Sequence, residues 1–170
     1  AISQVFTVNT AADEPNVAPG DCVCATGGGV CTLRAAIQEA NACGGGQAIR
    51  FSGKLCIEPA TALPVITDDL TVVDGSYGPV SAGTGAMSDV TLDGNGGPVD
   101  GLVITTSSCL VYGMEIVDFG GNGISLLDGA QDNTIGGTAW YRRNVIAGNG
   151  ENGVLIFGET TTTNTVAGNF

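Results

Sequence analysis

The sequence predicts an all-β chain, a parallel β-helix (solenoid) in which short strands stack on copies of themselves, with a single helix near its start. Asn122-Gly123-Ile124 recurs as Asn152-Gly153-Val154, 30 residues on. Asn133-Thr134-Ile135 recurs as Asn164-Thr165-Val166, 31 residues on, and a third pulse, Asn144-Val145-Ile146, lies between. A period in this range marks one supersecondary unit stacked on its neighbours. Strands this short make no stable hairpin alone, but in a solenoid each pairs with its equivalent about 4.8 Å above and below. Asn and Gly at the corners tolerate left-handed backbone. Composition agrees: 43% of residues are hydrophobic, only 5% are aromatic and 28 are glycine, which suits a narrow core of aliphatic stacks with many turns.

In chain order, Gln4 to Thr10 alternates and reads as a strand. Ala11 to Gly29, with its acids, Pro15, Pro19 and glycine triplet, reads as a loop. A helix follows over about Thr32–Ala42: Thr32 is the N-cap, Leu33, Ala36, Ile37 and Ala40 share a face, and Asn41 to Gly46 ends it. Such a helix is suited to cover the first coil, whose open strand edge would otherwise recruit other chains. From Ile49 onward short apolar pulses take over, among them Val90–Asp93 and Leu102–Ile104. Leu102 to Ile124 makes one turn of about 22 residues, and the next is longer because GTAWYRR is inserted before Asn144. Gly75 to Ser88 reads as a protruding loop. With no linker in view, residues 1–170 read as one domain: 1–48 hold the strand, cysteine-rich loop and capping helix, and 49–170 hold the coils.

The formal charge is −12, from 5 Lys+Arg against 17 Asp+Glu, and there is no histidine. From Leu55 to Tyr141 there are eleven acids and no Lys or Arg. This excludes nucleic-acid binding through a basic face. No apolar run approaches the ~18 residues of a membrane-spanning helix. Ala1 reads as a mature N-terminus after signal-peptide removal. The six cysteines, Cys22, Cys24, Cys31, Cys43, Cys56 and Cys109, are even in number and crowded toward one end, which points to disulfides and an oxidising compartment. A zinc site is the rival reading, but Cys22-x-Cys24 followed by Cys31 and Cys43 lacks paired C-x-x-C spacing.

The segment FTVNTAADEPNVAPGDCVCATGGGVCTLRAAIQEANA resembles the CSLREA-type N-terminal segment of secreted bacterial parallel β-helix proteins. CTLRAAIQEAN, Cys31 to Asn41, stands where that family carries C-S-L-R-E-A-I-x-x-A-N, and the downstream NTIGGTAxxxRNVIAGNGxNGVLI is similar to its repeats. The resemblance implies a right-handed β-helix with a capped N-terminus, exported to the cell surface or beyond. It implies no enzyme. It implies that Cys24 and Cys31 bracket the loop as a pair, and leaves the pairing of Cys22, Cys43, Cys56 and Cys109 open. It matches Arg34 to the family arginine, for which a structural role, bonding loop carbonyls or an acid near the cap, is expected.

Catalytic options are few. Without histidine there is no Ser-His-Asp or Cys-His machinery. A calcium-dependent lyase would have its acids in Asp68, Asp69, Asp74, Asp89, Asp93 and Asp100, but no Lys or Arg lies between Lys54 and Arg142 to act as base. A hydrolase would need two carboxylates flanking a sugar, for which Asp93 and Asp118 could serve, although nothing in the spacing selects them. The turn reading competes, since Asp74, Asp93, Asp100 and Asp128 all precede glycine. Calcium in these turns is an option, but the acids are spread singly and no D-x-D-x-D-G loop exists. Gly148-x-Gly150-x-x-Gly153 lies between strands and opens no helix, so it reads as a turn rather than a dinucleotide site.

Trp140-Tyr141-Arg142-Arg143 holds the only Trp and two of the four Arg, the composition of binding hot spots, and is the expected contact for a partner or glycan. The sequence runs out at Phe170 in mid-repeat, so either it is a fragment of a longer solenoid or Phe170 and an uncapped last coil dock on another copy head to tail. The expectation is a non-catalytic structural protein, extracellular or at the cell surface, that assembles with itself or with surface and matrix partners. A carbohydrate-binding or polysaccharide-degrading β-helix is the alternative.

Overall fold

The computed structural model describes residues 2–76 and 89–170; the predicted protruding loop lies outside the described residues from position 77. The first part of the chain gives β1 (Gln4–Val8), α1 (Leu33–Cys43), β2 (Gln47–Phe51), β3 (Leu55–Ile57), β4 (Val72–Asp74), β5 (Val90–Asp93) and β6 (Leu102–Ile104). The second gives β7 (Leu110–Tyr112), β8 (Met114–Val117), β9 (Ile124–Leu126), β10 (Thr134–Gly136), β11 (Val145–Ala147), β12 (Val154–Ile156) and β13 (Thr165–Ala167). A 3-10 turn at Trp140–Arg142 separates β10 from β11.

The strands form three parallel sheets. The first runs β1-β2-β4-β7-β10-β13, the second β11-β8-β5-β3 and the third β12-β9-β6. From β4 onward the described strands fall to the first, second and third sheet in rotation, so each pairs with the strand one circuit later. The sequence intervals become pairings: Ile124 opposes Val154, Ile116 opposes Ile146, and Ile135 opposes Val166.

Because the register is in step, like side chains stack on like. Phe6, Ile49, Val73, Val111, Ile135 and Val166 oppose one another in series across the first sheet. Ile57, Leu92, Ile116 and Ile146 do the same in the second. Ile66 bridges Ile104, which continues through Leu126 to Ile156 in the third. The inner members are buried, whereas Val166 is 44% exposed and Ile156 43%. The core is therefore a set of aliphatic columns whose last rung faces solvent.

Helix α1 joins this core through Leu33, Ala36, Ile37 and Ala40. Thr32 starts it: its Oγ1 accepts from Ala35 N at 3.0 Å and donates to Glu14 O at 2.6 Å, tying the preceding loop to the helix end. Gly44, with φ 65°, ends it and donates to Ala40 O at 3.3 Å. The helix packs on β1 and β2.

The corners are held by stacked amides. Asn133 is fully buried; its Oδ1 accepts from Cys109 N at 2.8 Å and its Nδ2 donates to Thr106 O at 2.9 Å and to Asn164 Oδ1 at 3.0 Å. Asn144, equally buried, accepts from Met114 N at 3.0 Å and donates to Val111 O and Asn169 Oδ1, both at 3.0 Å. Asn122 Oδ1 accepts from the backbone and side chain of Asn152. Asn122, Asn133 and Asn144 thus each bind backbone of the neighbouring circuit. Replacing Asn144 by Ala leaves the buried Met114 N–H and Val111 carbonyl without those partners and should cost about 2 kcal/mol in urea denaturation. A loss near zero would remove the ladder from the account of stability.

The corner between the first and second sheets varies in length. From β7 to β8 it is Gly113 alone, with φ +70° and an ideal Cβ 2.6 Å from Ser76 N, so a side chain there is both strained and obstructed. From β10 to β11 the same corner spans residues 137–144 and carries the Trp140 turn.

Candidate functional site

The polar residues near α1 are engaged with the cap itself. Arg34 pairs bidentately with Asp13, Nε and Nη2 each 2.9 Å from a carboxylate oxygen, and donates to Thr61 O and Ala62 O, also at 2.9 Å. Both partners are largely buried, and Asp13 also accepts from Ala60 N at 2.9 Å. Arg34 therefore clamps the loop before the helix to the segment after β3. Glu39, fully buried on α1, accepts from Gly20 N at 3.0 Å and from Cys22 N and Asn16 Nδ2. Beside it Cys22 is bonded to Cys43, and Cys24 to Cys31. Two bridges in one small cap fit an oxidising environment.

Cys56 and Cys109 are not bridged, which corrects the reading of all six cysteines as disulfide-forming. The physical reason is placement. Cys56 points outward from β3 in the second sheet, while Cys109 is buried beside the first. Burial, with a smaller push from Asp69 and Asp68, raises the Cys109 thiol to about 12. Burial and then Asp93, Glu58 and Glu115 raise Cys56 as well. A thiol reagent at neutral pH should modify Cys56 in the native protein, more slowly than an unperturbed thiol, and reach Cys109 only after denaturation. Native labelling of both would contradict this placement.

The candidate acids divide by role. Asp68 accepts from Gly45 N and Gly46 N at 3.1 and 3.2 Å. Asp74 accepts from Ser76 N at 3.1 Å and lies 3.5 Å from Arg50. Asp69 accepts from Thr106 Oγ1 and Ser107 N, and these bonds hold its carboxyl below the ordinary value. Asp100 stands where the ladder elsewhere has Asn: it accepts from Asn122 N at 2.7 Å and Ser125 Oγ at 2.6 Å. Burial alone would raise the Asp100 carboxyl; these bonds outweigh it and leave it lowered. A depressed folded-state value contributes stability that is whole above the ordinary carboxylate range and disappears as pH falls through the folded value. The stability gap between wild type and Asp100→Asn should thus narrow on acidification; a gap independent of pH would contradict it.

Asp93 and Asp118 do come together, lining an open groove of about 490 Å³ with Asn95, Phe119, Gly148 and Gly150. Asp93 also accepts from Asn95 N at 2.8 Å, as a turn residue does. Among the described residues, two groups bring three metal-ligating atoms within 4.8 Å of one another: Cys22, Glu39 and Cys43, and Cys56, Glu58 and Asp93. In the first the sulfurs are bonded to each other, and the second lies on the outer face of the second sheet. Asp89 does not belong to either group.

The side chains of Trp140–Arg143 take different partners. Trp140 and Tyr141 are exposed and meet edge to face with centroids 6.0 Å apart. The Arg142 guanidinium lies over the Tyr112 ring at 5.1 Å and the Tyr141 ring at 6.0 Å. Tyr112 is raised to about 12 by burial and then by Asp74, against the opposing pull of Arg142 and Arg50. Arg143 turns away, over the Phe170 ring at 5.1 Å. The Phe170 backbone adds to the second sheet, donating to Asn144 O at 3.0 Å and accepting from Ile146 N at 2.8 Å, while its side chain stays 55% exposed.

Among the described residues no helix is long and apolar enough to cross a membrane. Compared with known proteins, the chain matches no protein-family model, no curated protein and no solved structure.

Proposed function

We propose that this chain is a right-handed parallel β-helix of the CSLREA type, working as a non-catalytic structural module outside the cell or at its surface, and that it assembles head to tail. The carrying observation is the first sheet. Its six strands all run the same way and its two outer strands are β1 and β13, so a copy displaced along the stack presents β1 in parallel to β13. Beside β1 a groove of about 300 Å³ lies between the strand and the cap loop, lined by Val5, Thr7, Asn9, Val23 and Cys24. Strand addition at open edges is a general mode of association. The stapled cap and the buried ladders support a durable scaffold.

Negative-stain electron microscopy tests the reading. Filaments with a regular axial repeat, abolished by Val166→Asp with Ile156→Asp, are expected; discrete short rods at high concentration would overturn it. One observation favours a second reading, a polysaccharide-degrading groove: Asp93 and Asp118 share the 490 Å³ groove. Saccharide hydrolysis lost in Asp93→Asn or Asp118→Asn would support it.

A further inference from the structure

The molecule carries two unlike strips on adjacent sheets. On the outer side of the first sheet, Arg50, Asp74 and Tyr112 oppose one another in register, and Arg142 lies on Tyr112. The Arg142 guanidinium is held by two rings yet makes no hydrogen bond or ion pair among the described residues, in contrast to that of Arg34, which is bonded on three sides. The two rings fix its orientation, Arg142 is itself part-exposed, and Trp140 in the same turn is half exposed. On the outer side of the second sheet, Cys56, Thr91 and Glu115 oppose one another, with Glu58 and Asp93 beside them. Among the described residues none of Glu58, Asp93 and Glu115 belongs to an ion pair. Their joint field is felt by the Cys56 thiol, which all three push upward.

We propose that the Trp140–Arg142 turn of one copy docks side by side on the Glu58–Asp93–Glu115 strip of a second copy. Charge selects the occupant. In a chain of net charge −12 with five basic residues, Arg50 is already paired with Asp74 on the same face, and the facing strip supplies the carboxylate that Arg142 lacks. Trp, Tyr and Arg are the residues that dominate interface energies, and a guanidinium fixed on aromatic faces loses little freedom when it binds a carboxylate. The two strips lie on different sheets, so each copy presents one strip to each of two neighbours, a head-to-tail contact that propagates laterally. This inference rests on the self-assembling reading above but uses a joint independent of the β1–β13 edge.

The test is a charge exchange on the full chain, read by sedimentation velocity with folding checked by circular dichroism. Wild type should associate in low salt and about tenfold more weakly near 0.5 M sodium chloride, because rim charges are screened. Arg142→Glu alone and the Glu58→Arg/Glu115→Arg pair alone should each lose lateral association. Mixed in equal amounts they should regain it, since both contacts in the alternating array are then oppositely charged. Unchanged self-association of Arg142→Glu, failure of the folded mixture to recover, or binding of a saccharide at Trp140 that leaves the copies monomeric would each overturn the proposal. The background Val166→Asp/Ile156→Asp separates the two joints: salt-sensitive pairs surviving there leave the lateral contact standing when end-to-end filaments are lost.

Discussion

Glu39→Ala is expected to lower the unfolding free energy by about 3–5 kcal/mol, the scale for stripping a buried charge from its partners. The side chain is fully buried and accepts from Asn16 Nδ2, Gly20 N and Cys22 N. Alanine leaves Gly20 N and Cys22 N without this acceptor and Asn16 Nδ2 with Val23 O alone. Glu39→Gln should fall between, since an amide keeps one acceptor oxygen but points its own N–H groups at donors. Urea denaturation followed by far-ultraviolet circular dichroism checks both. A Glu39→Ala midpoint within error of wild type would show that the loop does not depend on this carboxylate.

Loss of the Cys22–Cys43 bridge, as Cys22→Ser/Cys43→Ser, should cost about 3 kcal/mol by the loop-entropy account. The bridge closes a sequence separation of 21 residues, against 7 for Cys24–Cys31. Removing the shorter bridge should therefore cost roughly 1 kcal/mol less. The longer bridge also joins the end of α1 to the loop that Glu39 organises, so the two changes share a neighbourhood and should combine non-additively. Equal losses from the two bridges, or strict additivity with Glu39→Ala, would contradict this picture of the cap.

Much of this was legible in the chain because the residues that repeat are the ones that pair. Asn122 and Asn152, or Ile135 and Val166, recur at the path length of one circuit, so a sequence interval translates directly into a register. Thr32 and its apolar followers announced α1 through the spacing that any amphipathic helix needs. Glu39 was not legible. On a helix it reads as a solvated acid, and its partners are backbone N–H groups of residues 20 and 22, which leave no residue-type signature. The Arg34–Asp13 pairing spans 21 residues of irregular loop, so only its kind was expected and not its partner. The cysteine count said nothing of which sulfurs can meet, and Cys56 and Cys109 lie against different sheets. At Trp140–Arg143 the sequence did not reveal the individual contacts, because the turn sends Arg142 to Tyr112 and Arg143 to Phe170, both set by tertiary position.

The in-step parallel register also makes the molecule mechanically anisotropic. Every inter-strand bond of the three sheets points along the direction in which rungs are stacked. A tensile load in that direction meets only the few bonds of one rung at a time and should peel the structure circuit by circuit at low force. A load applied across the rungs is shared by whole ladders and by the columns of Ile and Val beneath them, and should be resisted until many bonds fail together. Such a body yields when pulled lengthwise and stays stiff when pressed from the side.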